Sequence, residues 1–157
     1  MLKNAFIGID TSNYTTSFSV SDENGNILHN FKILLPVSDG ARGLRQSDAV
    51  FSHIKNLQII SEKIKEECEK YNILSIGYSA FPRDVEGSYM PCFLVGETLA
   101  KFLSALNNCK IYKFSHQSGH IKAAIYSSAA TVEDKFISFH VSGGTTEVLL
   151  VNNEDGN

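Results

Sequence analysis

The sequence repeats its own opening. At an offset of 130, without gaps, Phe6-Ile7-Gly8-Ile9-Asp10 lies over Phe136-Ile137-Ser138-Phe139-His140. In the same alignment Thr15-Thr16 lies over Thr145-Thr146, and Phe18-Ser19-Val20 over Val148-Leu149-Leu150. The turn pair Asn24-Gly25 matches Asp155-Gly156 one residue out of step. Each copy reads as an apolar strand, a small-residue turn, a second strand and then a tight hairpin. The hairpin chemistry is physical, because Asn or Asp followed by Gly accepts the positive φ that such a turn demands. An internal repeat of this kind restricts the fold before any single element is assigned.

The stretch between the copies alternates strand and helix signals. Residues 3–10, 14–21 and 26–34 have period-two patterns and predict an antiparallel meander. After a polar loop, Val50, Ile54, Leu57, Ile60, Ile64 and Cys68 recur at helical spacing, with Ser47 as the expected N-cap. Residues 73–80 predict a buried strand, Pro91 opens a helix to about Leu106, and 110–114 a short strand. A helix over 116–127 and a strand over 135–141 complete the reading.

Duplicated lobes that each begin with a strand-turn-strand hairpin are the mark of the actin, sugar kinase and Hsp70 architecture. The expected fold class is therefore α/β: an actin-like ATPase (ribonuclease H-like) lobe, with a mixed five-stranded sheet flanked by helices, plus the first strands of a second lobe. The expected boundaries are 1–131 for the first lobe and 132–157 for the truncated start of the second.

Bulk composition narrows the function classes. With 43% hydrophobic and 20% charged residues the chain reads as an ordinary soluble globule. A net charge of −3 gives no whole-chain footprint for nucleic acid, so any RNA contact needs a local basic surface or another chain. Cys68, Cys92 and Cys109 are odd in number and form no CxxC, which favours a reducing compartment. No secretory leader pattern and no run of about 20 apolar residues is present, so no membrane partner and a cytoplasmic location are expected.

Several segments together resemble the tRNA threonylcarbamoyl-adenosine transferase family, also known as the glycoprotease or O-sialoglycoprotein endopeptidase family. They are Gly8-Ile9-Asp10-Thr11-Ser12, Ser52-His53-Ile54-Lys55, Leu94-Val95-Gly96-Glu97, Ser115-His116-Gln117-Ser118-Gly119-His120 and Val141-Ser142-Gly143-Gly144-Thr145-Thr146. The resemblance spans nearly the whole chain but only the family's first half. It implies a metal-dependent transferase that passes a threonylcarbamoyl group from its adenylate to a tRNA adenosine. It also implies helper proteins, including a paralogue of the first lobe, with tRNA contacted indirectly.

By spacing alone, His116 and His120 share one helical face and could hold a metal or simply pack. The resemblance implies ligation of zinc or iron, with a third ligand, an Asp, in a part of the second lobe that this chain does not include. The segment is not HExxH, since residues 117–119 are Gln-Ser-Gly and supply no general-base glutamate, which weakens a peptidase reading. Ser142, Gly143, Gly144 and Thr145 follow a strand, and their N–H and hydroxyl groups suit anionic oxygens. Asp10, Thr11 and Ser12 resemble the first phosphate hairpin, with the carboxylate orienting a water on a cation and the hydroxyls meeting phosphate. An ATP or adenylate-type ligand is implied. The family has Glu where Asp10 stands and His where Thr145 stands. The 81–91 loop is also longer than the family's Gly-Pro-Gly turn, which points to a divergent paralogue. His53 aligns with a family helix histidine near the cleft, although a lone helix His is more often structural. His29 and His140 carry only a structural reading.

Three other functions compete with the transferase: a non-catalytic scaffold like the first-lobe paralogue, a metallopeptidase, and a sugar-kinase-like ATPase. An unpaired hairpin edge in a truncated second lobe also predicts either a homodimer through that edge or a poorly ordered end after about Val151.

Overall fold

The computed structural model describes residues 2–37, 44–141 and 146–152. In chain order the elements are β1 (Lys3–Thr11), β2 (Thr15–Ser21), β3 (Ile27–Leu34), α1 (Gln46–Cys68), β4 (Tyr71–Phe81) and α2 (Phe93–Asn107). They continue with β5 (Lys110–Ser115), α3 (His116–Ser128), β6 (Lys135–Val141) and β7 (Thr146–Asn152). Two compact units result, Met1–Gln117 and Ser118–Asn157. Among the described residues no helix is long and apolar enough to cross a membrane.

The first unit holds a five-stranded sheet in the order β3-β2-β1-β4-β5. β1, β2 and β3 pair antiparallel, while β4 runs parallel to β1 and β5 parallel to β4. This is the mixed sheet that the alternating elements predict. The meander needs only short turns. At its second turn Asp22 Oδ1 accepts from the amides of Asn24 and Asn26, and Gly25 takes φ 80°. The parallel strands require crossovers, which α1 and α2 supply.

Strand alternation separates two chemistries. Ala5, Ile7, Ile9 and Thr11 of β1 and Thr16, Phe18 and Val20 of β2 are all buried, and Ile60, Ile64 and Ala100 of the helices join the same core. α2 comes unusually close to β1. A Cβ on Gly96 would lie 2.9 Å from Thr11 Oγ1 and 3.3 Å from Ile9 Cγ2, so only glycine permits the approach. The alternate residues, Gly8 and Asp10 among them, point to the sheet face opposite this core.

The helix starts differ from expectation. α1 begins after Arg45 with no side-chain cap, and Ser47 lies inside its first turn, 3.5 Å from Asp48 Oδ1. Its buried line is Ala49, His53, Asn56, Ile60 and Ile64, whereas Ile54 is exposed. Two polar side chains replace apolar ones in that line because Thr16 of the sheet gives them a partner. α2 begins at Phe93, and the carbonyl of Pro91 accepts from the Leu94 amide.

In the second unit β6 and β7 pair antiparallel, with Phe136 opposite Val151, Ile137 opposite Leu150, Phe139 opposite Val148 and His140 opposite Glu147. In the first unit Phe6 faces Ser21, Ile7 faces Val20, Ile9 faces Phe18 and Asp10 faces Ser17. Adding 130 to each member of the first unit's pairs gives the second unit's pairs. The repeat therefore holds in backbone register as well as in letters.

Candidate functional site

The site is built where β1, β4 and β5 end. Asp10 is the penultimate residue of β1, and its carboxylate collects three donors. Ser12 donates its amide to Oδ1 at 3.0 Å, and Ser79 of β4 donates its hydroxyl to Oδ2 at 2.5 Å. His116, the first residue of α3, places Nδ1 2.7 Å from Oδ2. Burial pushes the Asp10 pKa up. The hydrogen bond and the charge of His116, with help from Ser79 and Ser12, outweigh that and bring it down to about 2. The carboxylate is thus ionised at neutral pH. The His116 ring also lies 6.0 Å from that of Phe93, centroid to centroid.

Thr11 and Ser12 are both buried. The Thr11 hydroxyl donates to the Cys92 carbonyl at 3.0 Å and accepts from the Gly96 amide at 3.1 Å. It thereby ties the end of β1 to the start of α2. Cys92 is itself fully buried, and burial raises its thiol to about 11, so it stays protonated and unreactive.

Beneath the first hairpin turn is a second polar cluster. His53 is fully buried, with Nδ1 2.7 Å from Thr16 Oγ1. Asn56 donates its side-chain amide to the same Thr16 oxygen at 3.0 Å. Burial lowers the His53 pKa, opposed by the backbone of Ser12 and the charge of Asp10, and its buried Nε2 lacks a hydrogen-bond partner of standard geometry. A lone imidazole under a turn of small polar residues is costly unless something polar faces it.

The 81–91 loop closes the same end. Ser115 donates to Asp84 Oδ2 at 2.5 Å and Gln117 donates its amide to the Pro82 carbonyl at 3.1 Å. The two residues flanking His116 are therefore both fastened to this loop. Inside it Ser88 Oγ accepts from the Arg83 amide at 3.0 Å. An open pocket lies along Phe81, Asp84, Val85, Gly87 and Ser88.

His120 follows His116 by four positions on α3. In the second unit its ring stacks on that of His140, with centroids 5.8 Å apart, and His140 Nδ1 stands 3.7 Å from Glu147 Oε2. Ser142, Gly143, Gly144 and Thr145 lie outside the described residues. Among the described residues no group of three His, Cys, Asp or Glu side chains is arranged to hold a metal.

Ser79 and Asn56 carry no sequence signal; Thr16 stands out only through the repeat and Asp84 only as part of the 81–91 loop. A serine within a strand carries no signal of its own, and the partner that gives it meaning is 69 residues away. The repeat does offer a hint for His140, because the offset places it over Asp10, at the end of an equivalent strand.

No family model matches the chain. Curated relatives do. A tRNA N6-adenosine threonylcarbamoyltransferase of Prochlorococcus marinus (strain MIT 9312) is 27% identical over 154 residues, 96% of this chain and 42% of that protein. The protein of the same name from Metamycoplasma arthritidis is 27% identical over 147 residues, 94% and 45% of the two chains. That of Francisella tularensis subsp. novicida is 29% identical over 101 residues, 63% and 29%. The chain thus spans less than half the length of these relatives. Among solved structures it is similar to YeaZ from Pseudomonas aeruginosa, with a TM-score of 0.54, 10% identity and coverage of 98% of this chain and 70% of that one. It is also similar to a ROK family glucokinase from Streptomyces griseus, with a TM-score of 0.53, 15% identity and coverage of 96% and 45%. The fold is that of the actin-like ATPases.

Proposed function

We propose that the chain carries the amino-terminal half of a threonylcarbamoyl-type transferase acting on tRNA adenosine, or of a divergent paralogue of it. The relatives' names and the order of motifs support this reading, and the contact between Asp10 and His116 is the observation that carries it. A carboxylate on the first strand reaches across the sheet to the imidazole that opens the HxxxH helix. Two segments 106 residues apart thereby meet at one point.

A metal fits the residues present only in part. His116 and His120 would hold it, and an imidazole whose other nitrogen is fixed by a carboxylate is the usual state of a metal-ligating histidine. Further donors would have to come from elsewhere. Zinc or iron, when bound, would supply a Lewis acid for the carbamoyl carbonyl. The chain's own residues do the rest: Asp10 orients His116 and the 81–91 loop flanks it, while Ser142, Gly143, Gly144 and Thr145 are the residues assigned to anionic oxygens of an ATP or adenylate-type ligand.

The second reading is a non-catalytic partner subunit in a tRNA-modification assembly. It is favoured by exposed apolar side chains on the helical layer, Phe51, Ile54 and Ile59 of α1 with Phe102 and Leu106 of α2. Such a surface suits a paralogue of this same lobe or a second copy.

The test supplies purified protein with zinc or iron, threonylcarbamoyl-adenylate, tRNA and the helper proteins, and reads the modified nucleoside by mass spectrometry. Product that disappears in His116→Ala supports the transferase. Stoichiometric metal with no product sinks it. Absence of metal together with a stable complex with a helper protein favours the scaffold.

A further inference from the structure

The stripe of α1 that meets the sheet changes character along its length. Gln46, Ala49, His53, Asn56, Ile60 and Ile64 follow one another at helical spacings of three and four. Ile60 and Ile64 join the apolar core, but Gln46, His53 and Asn56 bond to the turn between β1 and β2 and to its flanks. An apolar contact between helix and sheet needs no such groups, and burying them is costly unless each is satisfied.

Donor and acceptor chemistry fixes how the three are oriented. A backbone amide only donates, so the Cys92 amide, 3.3 Å away, marks the oxygen of the Gln46 side chain. The Gln46 nitrogen then donates to Asn13 Oδ1 at 2.9 Å. A backbone carbonyl only accepts, so the Ile33 carbonyl, 3.5 Å away, marks the Asn56 nitrogen, which also donates to Thr16 Oγ1 at 3.0 Å. Thr16 Oγ1 thus receives one hydrogen and has its own to give, and His53 Nδ1 lies 2.7 Å from it. The His53 ring is fully buried, which favours its neutral form. A lone pair on Nδ1 then puts the ring hydrogen on Nε2. That buried nitrogen has no partner of standard geometry, and the Ser12 backbone is the polar group that faces the ring.

We infer that His53 is a positioning residue for the β1–β2 turn, taking the Thr16 hydroxyl at Nδ1 and holding its Nε2 hydrogen beneath Ser12. Asn56 secures the far side of the turn through Thr16, and Gln46 secures its tip through Asn13. The turn so held is the one whose Ser12 amide reaches Asp10. This role stands apart from the transferase reading, because it concerns the geometry of the turn and no ligand.

The experiment combines long-range 1H–15N NMR of histidine-labelled protein at mildly alkaline pH with hydrogen exchange of single amides. The wild type is expected to show His53 protonated at Nε2 with the lone pair on Nδ1, the signal being assigned by its loss in His53→Gln. Exchange at Ser12 and Thr16 is compared with exchange at Ile7 and Val20, which lie deeper in the same strands. His53→Leu fills the space but removes the acceptor of the Thr16 hydroxyl. It is expected to speed exchange at Ser12 and Thr16 by about 10-fold relative to Ile7 and Val20, the equivalent of one hydrogen bond. In His53→Gln the side-chain oxygen can accept from Thr16 while the NH2 group faces Ser12, so exchange at the turn should return to the wild-type rate.

A wild-type ring protonated at Nδ1 overturns the inference by itself, whether or not the variants fold. Undiminished protection of Ser12 and Thr16 in His53→Leu also overturns it. Equal acceleration at all four amides does the same, because it marks His53 as a core residue and nothing more.

Discussion

The hairpins β1–β2 and β6–β7 pair in one register, 130 residues apart, yet they meet opposite surroundings. Ile7, Ile9, Phe18 and Val20 are covered by α1 and α2. Their counterparts Ile137, Phe139, Val148 and Leu150 are each 63–73% exposed, and Val141 extends the same bare surface. Register is a local matter, set by strand pairing and turn, whereas burial depends on what else the chain supplies. Among the described residues, the second hairpin therefore has the alternation of a core strand pair without the helical layer that makes the first a core. The ends of the strands diverge in a similar way. Asp10 meets a histidine from a distant helix, while His140 meets Glu147 directly across its own ladder.

The largest contrast should come from truncating equivalent large residues. Phe18→Ala is expected to cost about 3–5 kcal/mol, because it opens a cavity under α1. Val148→Ala, its counterpart, should change stability by no more than about 0.5 kcal/mol. Urea unfolding of the two variants measures both, and equal costs would break the comparison.

The strand ends should differ in acid. The folded-state pKa of Asp10 lies below its ordinary value of 3.8, at about 2. Its ionised form thus contributes stability that is fully present above the ordinary carboxylate range and is lost as pH falls toward 2. The sum at stake is about 2 kcal/mol. Unfolding midpoints across this window should fall more steeply for the wild type than for Asp10→Asn, and parallel curves would deny the anchoring of the carboxylate.

Thr16 and Thr146 are also counterparts. Thr16→Val leaves His53 and Asn56 without their shared partner and should cost about 1–3 kcal/mol, whereas the exposed Thr146 should tolerate the same change. Thermal melts of the pair would show it. Smaller still is the net effect of Gly96→Ala. Helix propensity favours the substitution by up to about 1 kcal/mol, but the new methyl group must displace Thr11 or Ile9, at about 1–3 kcal/mol. A measurable loss of stability is expected, and a gain would mean that α2 can retreat from β1 without penalty.

Much of this was legible in the letters. The offset of 130 anticipated both hairpins and even their matching register, because period-two alternation and turn residues are locally encoded. The mixed sheet and the bounds of α3 followed from periodicity in the same way. The buried line of α1 was harder. Reading apolar residues alone placed Ile54 inward and passed over Asn56, since polar side chains count as outward unless a distant acceptor is known. Thr16, which supplies that acceptor, sits 40 residues away from Asn56. The letters single out His116 and Asp10 separately. They do not show the contact between the two, because nothing in either segment reports a hydrogen bond spanning 106 positions.

The hydroxyl of Thr11 has one more implication. By giving its proton to one backbone group of the α2 entrance and receiving one from another, it makes strand end and helix entrance a single rigid piece. Length changes in the connecting segment between them can then accumulate without shifting the carboxylate next door. A change in the length of that rim would thus leave the anchor beneath it in place.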